Sequence, residues 1–410
     1  MDTKMGSITE RRNLRTGTPV WASLGMPRLA TRKLIAPARA DVVIVGAGIT
    51  GALVGEAATA NGLSVILLDR RPPFHGSTAA STALLQFEID TPLIRMADAI
   101  GFEKAKRAWL RSFRAVDDLA VLVRRLRIRC EFRSRRALYL AGTTLGAGEL
   151  AEEGRRRRAI GLPSHFLGRA DLRSLAGIDR EAALLSDGMA DANPVLLTRG
   201  LLRRAIARGA RLYSPVQLSG VHPARRKIEL VTSEGIELEA KALVFATGYE
   251  LADGVPSHGH SITSTWAFAT KPQPEALWGK GELIWEASDP YLYIRTTADG
   301  RVVVGGEDED IEDEAARDAL LAAKISILQK KTKQLLPWLD VGADCAWGGT
   351  FGESENGLPS IGPVPGMSNC HAVLGYGGNG LTFGVVAAQI LAARLCGGRD
   401  PDDRLFAFRR

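Results

Sequence analysis

The chain has 410 residues, 45% of them hydrophobic and 24% charged, with 53 Lys plus Arg against 46 Asp plus Glu and a formal net charge of +7. Those proportions belong to an ordinary soluble globular protein, and the length exceeds what one core supports, so two closely associated domains are expected. Four dispersed cysteines, Cys130, Cys345, Cys370 and Cys396, form no CxxC pair and no ligand spacing with histidine; no metal site is expected, and a reducing, cytoplasmic setting is.

Residues 1–39 carry Pro19, Pro27 and Pro37 but no continuous apolar run, which predicts an irregular arm and no secretory signal. The run Val42 to Val45 is apolar without alternation, as in a parallel strand buried on both faces. It leads into Gly46-Ala47-Gly48-Ile49-Thr50-Gly51, where the first glycine permits a tight turn. The second clears space for a pyrophosphate, and the third lets the next helix pack closely. That helix is expected to reach Ala60 and stop at Asn61-Gly62. A second apolar strand, Ser64 to Leu68, ends in Asp69, placed to accept hydrogen bonds from an adenosine ribose. A carboxylate there repels a 2′-phosphate, which disfavours NADP and leaves NAD or FAD. Arg70 opens a loop to Gly76, and Ser77-Thr78 offer short donors beside the pyrophosphate position.

From Ile100 to Leu126 the spacing predicts a helix with Phe102, Ala105, Trp109, Phe113 and Val116 on its buried face. Glu131 to Leu140 reads as a strand. Glu152 to Ala159 reads as a polar helix whose Arg155–Arg158 run is expected to be a solvated end, since no base-stacking aromatics accompany it. A helix over Leu196 to Arg208 precedes the strand Arg211 to Val216, and Lys227 to Thr232 pairs with Ile236 to Ala240 as a hairpin. The strand Ala242 to Ala246, ending in Thr247-Gly248, belongs beside the glycine turn. Four alternating segments between Ser261 and Gly306 predict an antiparallel sheet, followed by one long helix from Glu314 to Leu336 stopped by Pro337. The uncharged stretch from Ala372 to Ala393 is long enough to span a bilayer, but its glycines, Asn379 and Gln389 predict strand, loop and buried helix instead.

Taken in this order, the motifs resemble the FAD-dependent oxidoreductases of the D-amino-acid oxidase class, over most of the chain. They are Val45 to Gly51, Asp69, Gly76-Ser-Thr78, Ala246-Thr-Gly248, Tyr293-Ile-Arg295 to Asp299-Gly-Arg301, Gly357-Leu-Pro-Ser-Ile-Gly362 and Gly375-Tyr-Gly-Gly-Asn-Gly380. The γ-glutamylputrescine oxidoreductase branch is the most similar, with the glycine and sarcosine oxidases beside it. The resemblance implies an α/β, Rossmann-like βαβ FAD-binding domain assembled from residues 40–95, 186–250 and 345–410. Residues 96–185 and 251–344 then form an α+β antiparallel-sheet substrate domain. It implies that Val216 meets the adenine through its main chain, that Ala246, Thr247 and Gly248 approach the dinucleotide, and that Gly378, Asn379, Gly380, Leu381 and Thr382 face the pyrimidine end of the flavin. The implied reaction is hydride transfer from a C–N substrate to the flavin, followed by imine hydrolysis.

Three departures from the family pattern stand out. The arginine that clamps a substrate carboxylate in glycine oxidases is replaced by Phe351, and a phenyl ring cannot form that bidentate contact. The positions of the flavin-tethering cysteine and histidine of relatives are Gly349 and Ala80, so FAD is expected to be non-covalent. Gln86, Tyr293, Arg295, Trp347, Phe351 and Tyr376 are the candidate substrate-pocket residues, and no catalytic acid or base is assigned. The expected substrate is a small-molecule amine or N-substituted amino compound. A 2-hydroxy acid, an amine carried on tRNA and a non-catalytic dinucleotide-binding role are the alternatives. Dioxygen, a quinone and a carrier protein stand equally as electron acceptors.

Overall fold

The computed structural model describes residues 6–408, so residues 1–5 of the expected arm and the last two residues fall outside the described part. Two sheets organise the fold. The first is centred on Ala38–Val45, which pairs in parallel with Val65–Leu68 on one side and Glu237–Phe245 on the other. Arg211–Tyr213 extends it beyond Val65–Leu68, and Cys370–Leu374 with Ser360–Pro363 extends it beyond Glu237–Phe245. Both faces are covered, which is why these strands read as unbroken apolar runs. Val42 and Ile44 point to a core shared with helices Ile49–Ala60, Pro194–Ala207 and Gly380–Leu395. Val43, Ile66 and Leu68 point to a second core roofed by the hairpin Leu218–Pro223 and Ile228–Thr232.

Among the described residues the second sheet has ten strands, with Ala343–Ser354, His260–Thr270, Val302–Glu309, Leu292–Thr296 and Leu283–Glu286 as consecutive neighbours. Arg133–Leu140 joins it in parallel to Leu283–Glu286, and Ala182–Asp191 follows antiparallel. Its antiparallel core is the expected one. The segments expected from 186 and from 345 in the cofactor domain begin inside this sheet, since Ala182–Asp191 and Ala343–Ser354 both belong to it.

Several local expectations need correcting. The arm is not irregular throughout: Arg15–Gly17 is an edge strand paired with Ala343–Ser354, Thr16 opposite Gly348. Trp21 is fully buried and donates its indole N–H to the carbonyl of Ser81 at 2.7 Å. A three-residue strand has too little alternation to read from sequence. The expected strand pieces Ile236–Ala240 and Ala242–Ala246 are one strand, Glu237–Phe245. The long helix is two, Glu314–Ala319 and Leu321–Leu335, meeting at Leu320. Phe102, expected on the buried face, is 42% exposed.

The arginine run is the largest correction. Arg155 and Arg156 pair with Glu152 on the surface, but Arg157 is 0% exposed. Successive helical residues turn by about 100°, which sends the third arginine inward. There its Nε donates to Glu153 at 2.7 Å and its Nη1 to Glu88, with the guanidinium over Trp109 at 4.5 Å. Burial works against the charge of Arg157, but Glu153 and Glu88 outweigh it and hold its pKa above the ordinary value. The basic run that motivated the tRNA alternative is therefore not a free patch.

Candidate active site

A single cleft runs from the glycine turn to the second sheet, lined by residues of both. At the turn, Gly46 has φ +110°, and a Cβ there would lie 2.2 Å from the carbonyl oxygen of Ala246. A Cβ on Gly51 would lie 1.9 Å from the carbonyl oxygen of Gly46, so helix and strand approach as closely as backbones allow. Gly46, Gly48, Ile49 and Thr50 line the cleft, whereas Ala47 and Gly51 build it from behind. The Ala47 N–H donates to Asp69 Oδ2 at 2.7 Å, and the Arg71 N–H donates to Oδ1 at 2.8 Å. Asp69 thus clamps the turn onto the strand end, while burial pushes its carboxyl pKa up against the pull of those two donors.

Other residues expected to hold the cofactor lie along the same cleft. Asp69, Arg70, Val216, Ala246, Thr247 and Gly248 line one stretch, with Ser77 and Thr78 opposite the helix start. Thr78 Oγ1 accepts the Ile49 N–H at 3.0 Å, while Ser77 Oγ and Arg70 Nη1 are buried without a protein partner. Glu250, which sequence reasoning missed, takes both Arg71 (2.6 Å to each oxygen) and Arg70 (2.7 Å). Burial opposes its charge, but the arginines prevail and hold its carboxyl below the usual range.

At the far end, Gly378, Gly380 and Leu381 line the cleft, but Asn379 and Thr382 do not. Their side chains tie the chain at 86–90 to the helix: Thr382 Oγ1 donates to the Gln86 carbonyl at 2.7 Å and Asn379 Nδ2 to the Glu88 carbonyl at 3.1 Å. Asp90 Oδ2 accepts the Gly378 N–H at 2.8 Å. Of the substrate candidates, Gln86, Tyr293, Phe351 and Tyr376 line the cleft, joined by Trp285, Tyr291 and Asp308, which sequence reasoning did not single out. Burial raises the phenol pKa of Tyr291, Tyr293 and Tyr376, so all three are neutral hydroxyls at physiological pH.

Arg295 and Trp347, expected in the substrate pocket, lie outside the cleft lining. Arg295 is 1% exposed and spends its donors on carbonyls: Nη1 on Thr82, Ala83 and Ala192 at 3.0, 2.8 and 2.9 Å, and Nε on Thr296 at 3.1 Å. Asp191 sits 3.7 Å away, and burial lowers the guanidinium pKa to about 10. Such an arginine fixes backbone and leaves nothing for a substrate. Trp347 donates its indole N–H to the Ala80 carbonyl at 2.8 Å. A Cβ on Gly349 would stand 3.6 Å from the Ala80 Cβ, so the two positions at which the resemblance places a tether are neighbours on the cleft wall. Cys345 is turned away toward Ser23, 3.8 Å from its hydroxyl.

Two clues to the missed residues existed in the sequence: Glu88-Ile89-Asp90 places acids in a largely apolar segment, and Glu307 to Asp310 follows directly on the apolar run Val302 to Val304. Among the described residues no group of three or more His, Cys, Asp or Glu is arranged to hold a metal, and no helix is long and apolar enough to cross a membrane.

The family model described as FAD dependent oxidoreductase (DAO) matches residues 41–394. A curated relative, YhfW of Bacillus subtilis (strain 168), named as a Rieske 2Fe-2S iron-sulfur protein, is 21% identical over 267 residues. That match covers 65% of this chain and 50% of YhfW, so the chain spans about half the length of the curated relative it matches. Among solved structures, glycine oxidase from Geobacillus kaustophilus aligns with a TM-score of 0.75 at 19% identity, covering 91% of this chain and 99% of that one. L-Amino acid deaminase from Proteus myxofaciens, solved with anthranilate, gives 0.76 at 15% identity over 97% and 98%. Iminodiacetate oxidase from Chelativorans sp. BNC1 gives 0.70 at 21% identity over 89% and 98%. At these identities the likeness establishes the fold.

Proposed function

The chain belongs to the DAO family of FAD dependent oxidoreductases, and from that premise we propose that it oxidises a C–N bond in a small amine or N-substituted amino compound. The observation that carries this reading is the cleft itself. It joins a dinucleotide cradle to an aromatic chamber in which Phe351 stands where an arginine clamp is expected, while Arg295, outside the lining, is committed to backbone carbonyls. The similar structures are named for glycine, iminodiacetate and L-amino acids, which supports an amino compound as substrate; the missing clamp directs the choice away from simple α-amino acids.

The residues present fit FAD. The cradle excludes any Cβ at Gly46 and Gly51, and the buried Ser77 Oγ and Arg70 Nη1 wait beside it without partners. When bound, FAD supplies a two-electron hydride acceptor. The chain's part is to hold the substrate between Trp285, Tyr291, Tyr293 and Tyr376 and to keep bulk water away, so that orientation and desolvation supply the rate. Water then hydrolyses the substrate imine to a carbonyl compound and a free amine. Glycine and alanine at the two tether positions, 349 and 80, support non-covalent FAD.

The test begins with the absorption spectrum of the purified protein, followed by anaerobic mixing with amines, α-amino acids and 2-hydroxy acids. Bleaching of the flavin by amines is the expected result; bleaching by 2-hydroxy acids alone overturns the reading. Acid precipitation is expected to leave the flavin in the supernatant.

A further inference from the structure

We infer that the substrate of this site carries a second nitrogen that stays protonated, and that Asp308, with Asp90 beside it, receives that cation. The inference rests on the amine-oxidising reading above and specifies the substrate class.

The charges lining the cleft are segregated. Its only basic lining side chains among the described residues are Arg70 and Arg71, both at the adenosine end and both bound to Glu250. The other end carries Asp90 and Asp308 and no Lys, Arg or His. Alternation along Val302–Glu309 explains the placement of Asp308. Glu307 and Glu309 pair with Lys331 and Lys324 on the helix Leu321–Leu335, while Asp308, between them, faces the cleft.

Among the described residues no Lys, Arg or His pairs with Asp308, whereas its neighbours Glu307 and Glu309 are both paired. Both oxygens of Asp308 are buried and neither makes a well-formed hydrogen bond, although the hydroxyls of Thr265 and Tyr291 approach it. Buried charges are normally paired. Burial pushes this carboxyl up to about 6, and Glu353, on the same strand face as Phe351, is pushed up to about 7 by burial and by Asp90 and Asp308. Asp90 is packed among protein atoms yet open to the cleft. Its oxygens already take the Gly378 N–H and, at 3.3 Å, Asn379 Nδ2, so it adds charge rather than an empty acceptor.

Aromatic rings complete the chamber. Tyr291 and Tyr293 lie 5.8 Å apart with planes tilted by 39°, and Trp285 and Tyr376 add further faces. Ring faces and uncompensated carboxylates attract the same ligand, an organic cation, and both repel a carboxylate. The oxidised nitrogen must be neutral to release hydride from its carbon, so the cation recognised here is a different nitrogen of the same molecule. The step balances without it. Bound FAD would supply the acceptor for the C–H hydride, while the neutral nitrogen's lone pair would form C=N and water would replace that bond with C=O as the amine leaves. The remote ammonium keeps its proton throughout.

The experiment compares three chains of equal length that differ only in the far end: 1,5-diaminopentane, 1-aminopentane and 5-aminopentanoate. Flavin reduction by the holoenzyme is expected to be most efficient with the diamine, by about tenfold over the monoamine, and least with the amino acid. Asp308→Asn is expected to pull the diamine-to-monoamine ratio toward one, and Asp90→Asn to lower it partway. A readout independent of turnover is calorimetric binding of benzyltrimethylammonium, whose charge is fixed. Binding to the wild type, weakening about tenfold in Asp308→Asn and absent for benzoate, is the expected pattern. Equal efficiency of diamine and monoamine, or benzyltrimethylammonium binding untouched by Asp308→Asn, overturns the inference while leaving amine oxidation standing. Loss of turnover in Asp308→Asn with cation binding intact also overturns it, because Asp308 then acts on the reacting nitrogen. Reduction by 2-hydroxy acids alone removes the underlying function.

Discussion

Replacing Asp308 by Asn is expected to stabilise the protein at pH 8. The carboxyl titrates at about 6 in the fold against an ordinary 3.8, because burial disfavours its charge. A folded-state pKa above the unfolded one means that stability is fully present below about pH 4 and is lost as pH rises through about 6. A difference of about 2 units corresponds to about 3 kcal/mol at pH 8. Asn keeps the shape and never charges, so the variant recovers that amount at pH 8 and much less at pH 4.5. Asp90, Glu307 and Glu353, whose charges bear on Asp308, titrate in both proteins and largely cancel in the comparison. For 410 residues an unfolding entropy of ~0.9 kcal/mol/K converts the gain into about 3 °C in Tm at pH 8. Calorimetric or urea unfolding of wild type and variant at both pH values measures it. A variant no more stable than wild type at pH 8, or an advantage that does not shrink by about 2 kcal/mol at pH 4.5, refutes the assignment of Asp308 as a buried, uncompensated charge.

Two further outcomes follow from packing. Arg157→Met leaves Glu88 and Glu153 buried without their cation and is expected to cost about 3–5 kcal/mol in urea unfolding; a loss below about 1 kcal/mol contradicts the role given to the pair. Because Glu88 also accepts the Trp285 indole N–H at 2.7 Å, the same variant is expected to shift the tryptophan fluorescence. Gly51→Ala drives a Cβ into the Gly46 carbonyl and is expected to abolish flavin retention, read from the visible spectrum after purification. Gly62→Ala, whose Cβ meets nothing but whose φ is +81°, costs about 1 kcal/mol and stays yellow; a colourless Gly62→Ala or a fully loaded Gly51→Ala defeats this account.

The cradle was legible because its physics is local: turn, strand, helix start and terminal acid all lie between residues 42 and 69. Ala246-Thr-Gly248 was legible because a doubly buried strand has a composition of its own. The far end of the cleft was not, since it depends on which way alternating residues face after two sheets meet. Tyr293 and Arg295 share one strand face, yet only Tyr293 reaches the cleft, while Arg295 is drawn to the carbonyls of Thr82, Ala83 and Ala192. In the run Glu307 to Asp310 four acids look alike; the lysines of a later helix take Glu307 and Glu309, and of the other two only Asp308 lines the cleft. Arg157 was misread because four like charges suggest a surface, whereas one of them has two buried carboxylates to meet.

The short edge strand Arg15–Gly17 has a consequence for biosynthesis. Its partner residues are Trp347 to Gly349, some 330 positions later in the chain. At a translation rate of about 5–20 residues per second, the first segment waits roughly 17–66 s on the ribosome before its mate is made. The cradle strand is in the same position, because its sheet extends through Glu237–Phe245 to Cys370–Leu374. Cofactor loading is therefore expected to wait until Cys370–Leu374 has been made, and a nascent chain stalled between residues 69 and 237 exposes a central strand still missing one side.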